Sequence, residues 1–362
     1  MKKLKRRYLS LFLAGCLSVG AFLPFVRTSD VKAAANLTEG LVGYWTFDGT
    51  SDAEQMANQV SGQSCTATKA GSGVELKNDG GVSGGSLYFS KQDSSYLKLN
   101  LKEANQGLNA AEQDFSIAAW VKFDANPFSA GTDKVNLFQQ TADISNTNAN
   151  GRTIVYLNSA KKYDTYLTGG DAVCNQEISL GNWQHIVFTS NHSTKKVQFY
   201  VNGRLASENT LTGDFANAAT DILVGAHKNL QASGAIKGSI DELRYYSKVI
   251  DQDTAEALYD AFGSIVEMET LSAKLQTLIT EAEGLNGGDE EKKELLLAAI
   301  AEAEAFLEAG APTVETLTEQ LAKLQSAVNA YKKTAVISIA VDSGEEIREI
   351  SDAMFGINHR YH

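Results

Sequence analysis

NWQHIVFTSNHSTKKVQFYVNGRLAS, from Asn182 to Ser207, is the stretch whose reading decides the fold. WQHIVFTS and KKVQFYV are rich in Val, Ile, Phe, Tyr and Thr, the residues that suit a pleated, half-buried surface, and a polar break separates them. Asn202-Gly203 then stands between FYV and RLA. This is the short-range hairpin signal, because the tight turn needs positive φ at both residues. The same texture extends outward from Leu41 to about Phe262, in LVGYWTF, SLYF, YLKLNL, FSIAAWVKF, TIVYL, DILVGA and GSIDELRYY, punctuated by Gly, Asn and Asp and without a long helical period. That is an all-β signature. Antiparallel strands of this kind bury one face each, and packing two sheets together covers both, so a β-sandwich is expected.

Five blocks in order resemble the laminin-G-like, concanavalin-A-like lectin/glucanase superfamily of bacterial secreted proteins: LVGYWTFDG at 41–49, GGSLYFS at 84–90, FSIAAWVKF at 115–123, the stretch at 182–205, and 222–259. The resemblance covers some 220 residues. It implies a jelly-roll sandwich over residues 36–264, with the first and last strands side by side.

The last block contains an acidic pair, Asp241 and Glu242. Successive strand residues point to opposite faces, so this pair is not expected to converge on one bond as an acid and a base. Asp48 ends the WTF strand and would lie near Asp241 if the first and last strands pair. Hard oxygen ligands from neighbouring loops, completed by backbone carbonyls and water, suit Ca²⁺. In relatives an acidic residue in each of these blocks helps hold a structural calcium, so Asp48 and Asp241 are the expected metal ligands. The other reading is an aspartate satisfied by backbone N–H groups and a nearby cation.

The polar loop from Asp143 to Gly151 alternates Asn146, Asn148 and Asn150, but the twelfth position from Asn146 is Leu157, so it is not an EF-hand. His185, His192 and His227 lack zinc spacing and read as strand or loop residues. Trp45, Trp120 and Trp183 read as packing. Sugar binding calls for aromatic and amide side chains on rim loops, and Tyr163, Tyr166, Asn146, Asn148, Asn229 and Gln231 are available. No catalytic set is evident.

From about Glu267 the period becomes helical, with Ile250–Thr254 already resembling a helix start. Leu271, Leu275, Leu278, Ala282 and Leu285 form one stripe ended by Gly287-Gly288. Leu296, Ala299, Ile300, Ala303, Phe306 and Leu307 form a second ended by Gly310-Ala311-Pro312. Val314, Leu317, Leu321, Leu324, Val328 and Tyr331 form a third behind Thr313. Three amphipathic helices make a small bundle over 265–333, and it resembles the FIVAR-type spacer modules of Gram-positive extracellular proteins. Residues 334–362 turn β-rich again, and ISDAMFGIN resembles the entry to the catalytic barrel of glycoside hydrolases related to α-L-arabinofuranosidases and heparanase-like enzymes. On that resemblance the catalytic carboxylates would lie beyond His362.

Residues 1–35 combine a basic cluster, an apolar run broken by Pro24 and a small-residue stretch, which is the pattern of a secretory signal peptide. Leu13-Ala14-Gly15-Cys16 fits a lipobox, but the apolar run continues past Cys16 to Leu23, which favours cleavage after Ala35. Pro24, Arg27 and Asp30 argue against a membrane anchor, so the membrane enters only during export. The segment carries seven Lys/Arg against one Asp, and its removal moves the formal charge from −12 to −18. Nucleic acid is therefore an improbable partner. Cys65 and Cys174 remain, as one disulfide or as two buried thiols. Taken together the expectation is a secreted carbohydrate-binding accessory region of a polysaccharide-degrading enzyme. The alternatives are a cell-surface protein-binding adhesion module and a sandwich that is itself a hydrolase or lyase.

Overall fold

The computed structural model describes residues 36–124, 128, 134–141, 152–310 and 312–333. The signal segment, the 143–151 loop and the 334–362 tail lie outside them. Two compact units divide the chain near Thr270.

The first unit holds fourteen strands: β1 (Leu41–Trp45), β2 (Thr66–Ala70), β3 (Val74–Lys77), β4 (Ser86–Ser90), β5 (Tyr96–Asn100), β6 (Phe115–Phe123), β7 (Lys134–Thr141), β8 (Thr153–Asn158), β9 (Tyr163–Tyr166), β10 (Gln184–Ser190), β11 (Lys196–Val201), β12 (Arg204–Thr210), β13 (Asp221–Val224) and β14 (Lys237–Tyr246). One sheet runs β12-β11-β10-β6-β14-β4-β3, and the other runs β2-β5-β13-β7-β8-β9. All pairings are antiparallel, which gives the expected sandwich. The lower half of β14 pairs with β4 and the upper half with β1, where Trp45 faces Leu243, so the first and last strands do lie side by side.

Alternation explains which side chains meet. Phe115, Ile117, Ala119, Val121 and Phe123 of β6 enter the core between the sheets, with Ile186 and Phe188 of β10 and Leu97, Leu99, Ile222 and Val224 from the other sheet. The intervening residues of the first sheet, Ala118, Trp120, Val187 and Tyr200, face outward, where a helix buries them. That helix, α2 (Gln252–Glu283), follows the short α1 (Asp52–Gln55), whose N-cap Ser51 and Glu54 form a capping box. Ile250, Ala255 and Leu258 pack on Ala118, Val187 and Tyr246, while Tyr259, Phe262 and Val266 pack on Trp120 and Trp183. The helix signal at Ile250–Thr254 and the period from Glu267 thus belong to one continuous helix. The predicted turn at Asn202-Gly203 forms with φ of 49° and 74°. Only Gly fits its second position, because a Cβ there would also approach Glu256 and Tyr259 of α2 to 3.1 and 3.0 Å.

The second unit takes the remainder of α2 with α3 (Glu290–Ala309) and α4 (Val314–Lys332). Asp289 and Thr313 cap the two later helices, and Gly310 ends α3 in the left-handed conformation at φ 71°. Leu275, Ile279 and Ala282 on α2, Leu296, Ile300 and Ala303 on α3, and Leu317, Leu324, Val328 and Tyr331 on α4 are buried at helical spacing. Among the described residues no helix is long and apolar enough to cross a membrane.

Candidate functional site

The acidic pair of β14 sits on a β-bulge. Asp241 faces Trp120 and Arg244 faces Ala118, so Glu242 and Leu243 together oppose the single residue Ala119, and Glu242 takes φ 53°. The bulge breaks the simple alternation. Leu243 resumes the inner position, and the carboxyls of Asp241 and Glu242 both stay outside the inter-sheet core instead of pointing to opposite faces. Both residues are buried. Glu242 Oε2 accepts from Tyr44 Oη at 2.6 Å and Arg244 Nη2 at 2.7 Å, and the guanidinium lies 3.8 Å over the Tyr44 ring. Asp241 Oδ2 accepts from the Val82 and Ser83 N–H groups at 2.8 and 3.4 Å, and its Oδ1 accepts from Glu242 N at 2.7 Å.

Asp48, just past β1, reaches the same glycine-rich loop from its other end, where Oδ1 accepts from Gly85 N at 2.7 Å. The loop closes on itself through Gly81 N to Gly84 O at 3.1 Å. A Cβ on Gly84 would collide with Asp48 Oδ1, and one on Gly81 with Asp241 Oδ2 and the Gly85 carbonyl oxygen. The glycines therefore let two carboxylates and a backbone carbonyl close in on one short loop. Burial, then the charge of Glu242, pushes the Asp241 pKa well up, and burial pushes up that of Glu242 against the pull of Arg244. A bound cation would offset this penalty on the charged forms. Among the described residues no three His, Cys, Asp or Glu side chains gather as a metal-holding group. Backbone N–H groups already engage both carboxylates, Gly85 N for Asp48 and Val82, Ser83 and Glu242 N for Asp241, which corresponds to the alternative the sequence left open.

On the same outer face, His185 and Trp120 are cross-strand partners sealed beneath Tyr259, with ring centroids 5.3 Å apart for His185–Trp120 and 5.6 Å for Trp120–Tyr259. Burial, reinforced by Arg244, pushes the His185 pKa down to about 3, so it is neutral. All three tryptophans are buried as packing residues.

The outer face of the second sheet has a different character. Asn136 of β7, Tyr156 of β8 and Asp164 of β9 form one cross-strand row, and Gln139, Thr153 and Tyr166 form the next. Tyr156 Oη donates to Asp171 Oδ1 at 2.6 Å, and Lys134 Nζ donates to the same oxygen at 3.2 Å. The ammonium lies 4.5 Å from the Tyr156 ring centroid and 5.1 Å from that of Tyr166. Asp164 accepts from Thr165 N, Ala172 N and Asn158 Nδ2, which pins the turn presenting Asp171. Burial and the two aspartates push the Tyr156 pKa up, so its phenol stays a donor. Lys134 and Asp171 are about half exposed and Tyr166 is 37% exposed. The result is an accessible aromatic ring beside a fixed donor–acceptor pair.

Of the predicted sugar-reading residues, Tyr166 belongs to this patch. Tyr163 does not, because it is fully buried in the inter-sheet core. Asn229 and Gln231 bond each other at 3.2 Å in an exposed turn, and Asn146 and Asn148 lie outside the described residues. Sequence reasoning missed Lys134, Tyr156 and Asp171. The available signal was the outward position of Tyr156 between the core residues Val155 and Leu157. His192 caps the β10–β11 turn against Asp114 at 2.7 Å. Cys65 and Cys174 are buried free thiols.

No curated protein matches this chain. Among solved structures, it is similar to the binding domain of Paraclostridial Mosquitocidal Protein 1, with 16% identity, a TM-score of 0.46, and 63% of this chain and 53% of that one covered. Domain 4 of AbnA, a GH43 extracellular arabinanase from Geobacillus stearothermophilus, in complex with arabinotriose, gives 16% identity, a TM-score of 0.41, and 60% and 98% coverage. Trypanosoma rangeli sialidase in complex with sialic acid gives 14% identity, a TM-score of 0.47, and 65% and 34% coverage. The chain thus spans about half the length of the mosquitocidal binding domain and about a third of the sialidase. Residues 91–255, which run from the loop before β5 into α2 and hold the whole Lys134–Tyr156–Asp171 patch, match the family model of the concanavalin A-like lectin/glucanases superfamily.

Proposed function

We propose that the sandwich is a carbohydrate-binding module, exported by way of residues 1–35, which serves as the accessory region of a polysaccharide-degrading glycoside hydrolase. The observation that carries this reading is the outer patch of the second sheet, where the half-exposed Tyr166 ring stands beside Lys134 and Asp171, both fixed by Tyr156. Aromatic faces pack on the apolar faces of sugar rings, and rigid polar groups read the hydroxyls. The family match supports it, since the superfamily is described by its lectins and glucanases. Asp164 is buried and engaged by backbone donors, which suits positioning better than acid–base chemistry. The role of the patch is therefore binding rather than catalysis. Tethering a catalytic partner to its polymer raises the local substrate concentration without new catalytic contacts. A calcium ion at Asp48 and Asp241 stabilises the strand junction and takes no part in ligand contact.

The test is retention of the full chain on a panel of soluble and insoluble polysaccharides. Tyr166→Ala should weaken retention on the bound polymer by about tenfold, roughly the loss of one stacking contact, while Asn229→Ala leaves it unchanged. Retention on no polymer, or loss with Asn229→Ala alone, would refute the assignment.

A further inference from the structure

We infer that the Lys134–Tyr166–Asp171 patch takes a neutral glycan, gripped through two adjacent hydroxyl groups, and rejects polyuronates and amino-sugar polymers; the inference rests on the carbohydrate-binding reading above.

The argument begins with unused hydrogen-bonding capacity. Asp171 Oδ1 already accepts from Tyr156 and Lys134, whereas Oδ2 receives no hydrogen bond from the described residues. Lys134 Nζ gives one hydrogen to Asp171, and no other described residue accepts the remaining two. An acceptor-only carboxylate oxygen thus stands beside a donor-only ammonium, with the two groups 3.2 Å apart. A vicinal diol complements this arrangement, because each hydroxyl can donate or accept. One hydroxyl donates to Asp171 Oδ2, and its neighbour accepts from Lys134. Lys134 lies over one face of Tyr166, so the sugar ring packs on the opposite face or along the ring edge.

Charge then selects the class of sugar. Among the described residues the one cation placed in the patch, Lys134, is already paired with Asp171, and Asp164 adds a second acidic group behind Tyr156. A uronate carboxylate bound here would face more negative than positive charge, on a chain whose formal charge is −12. A protonated amino sugar is attracted by Asp171 but must sit against Lys134, whose ammonium already fills the cation position between the two tyrosine rings. A neutral diol meets neither conflict.

Affinity electrophoresis of the full chain separates these classes, using gels containing linear arabinan, xylan or mixed-linkage glucan, then polygalacturonate, then glycol chitosan. Retardation is expected in at least one neutral gel, with little change between about 0.05 and 0.5 M salt, because no net charge is exchanged. Lys134→Ala and Asp171→Asn should each weaken that binding at least tenfold, while Asn229→Ala, in the exposed turn outside the patch, retains it and controls for folding. Preferential retardation by polygalacturonate or glycol chitosan leaves carbohydrate binding intact and overturns the neutral-diol assignment. Neutral binding that survives both Lys134→Ala and Asp171→Asn overturns it as well. Retardation in none of the gels removes the carbohydrate reading itself.

Discussion

At the scale of single residues, His185 illustrates how burial sets charge. Neither ring nitrogen finds a partner among the described residues, and the folded pKa is about 3 against an ordinary value near 6.5. Between those values the unfolded chain binds a proton that the folded chain does not. The stability held by neutral His185 is therefore complete above about pH 6.5 and declines as pH falls toward 3. Asp241 and Glu242 act in the opposite sense, since their raised pKa values make the folded state take up protons first. The expected outcome is a difference: urea midpoints of His185→Leu should fall less between about pH 7 and 4 than those of the parent, and equal slopes would show that His185 is not buried neutral. Asp241 has its own test. If calcium sits at the junction, chelator lowers the melting temperature of the parent by mass action. Asp241→Asn, which removes a charge and keeps one oxygen, should reduce that dependence, and a variant as calcium-sensitive as the parent would exclude Asp241 as a ligand. How far the sequence reveals these residues depends on how local their determinants are. Asp48 and Asp241 stand out because each ends or interrupts a recognisable strand. The bulge at Glu242 does not, because nothing in Ile240–Leu243 signals an extra residue in the strand. Lys134, Tyr156 and Asp171 come from three segments and meet only through the register of β7, β8 and β9.

At the scale of elements, α2 acts as the cover of the first sheet. Its early turns show an apolar pattern in sequence, but that pattern does not say whether the helix stands free or lies on a sheet. The answer is in the strands: Ala118, Trp120 and Val187 are apolar at positions that alternation turns away from the inter-sheet core, so they need a second cover. Tyr259→Ala should cost about 3 kcal/mol by opening space over Trp120 and His185, with red-shifted tryptophan emission as water enters; an unshifted spectrum with unchanged stability would exclude the packing role. Gly203 joins the β11–β12 turn to the same helix. Gly203→Val combines a strained positive φ with crowding against Glu256 and Tyr259, and should destabilise the sandwich by about 2–3 kcal/mol, measured by denaturant unfolding. The strands themselves were legible because period-two alternation and the Asn-Gly turn are short-range signals, whereas the division of β14 between β4 and β1 depends on partners far away in sequence.

At the scale of the whole molecule, the two compact units predict two thermal transitions. Deleting residues 286–333 should abolish one and leave polysaccharide retention unchanged; loss of both transitions would show a single cooperative unit. The acidic balance predicts no retention on nucleic acid at low salt. The seam between β1 and β14 bears on how the molecule is made. Tyr44 and Glu242 bond across 198 residues of chain, and the β14 edge that receives β1 is complete only at Tyr246. A polypeptide emerges N-terminus first, so the earliest strand to appear is among the last to find its place. Contacts this distant slow folding and leave apolar strands waiting for partners. On this topology the seam between β1 and β14 can close only after the final strand has emerged.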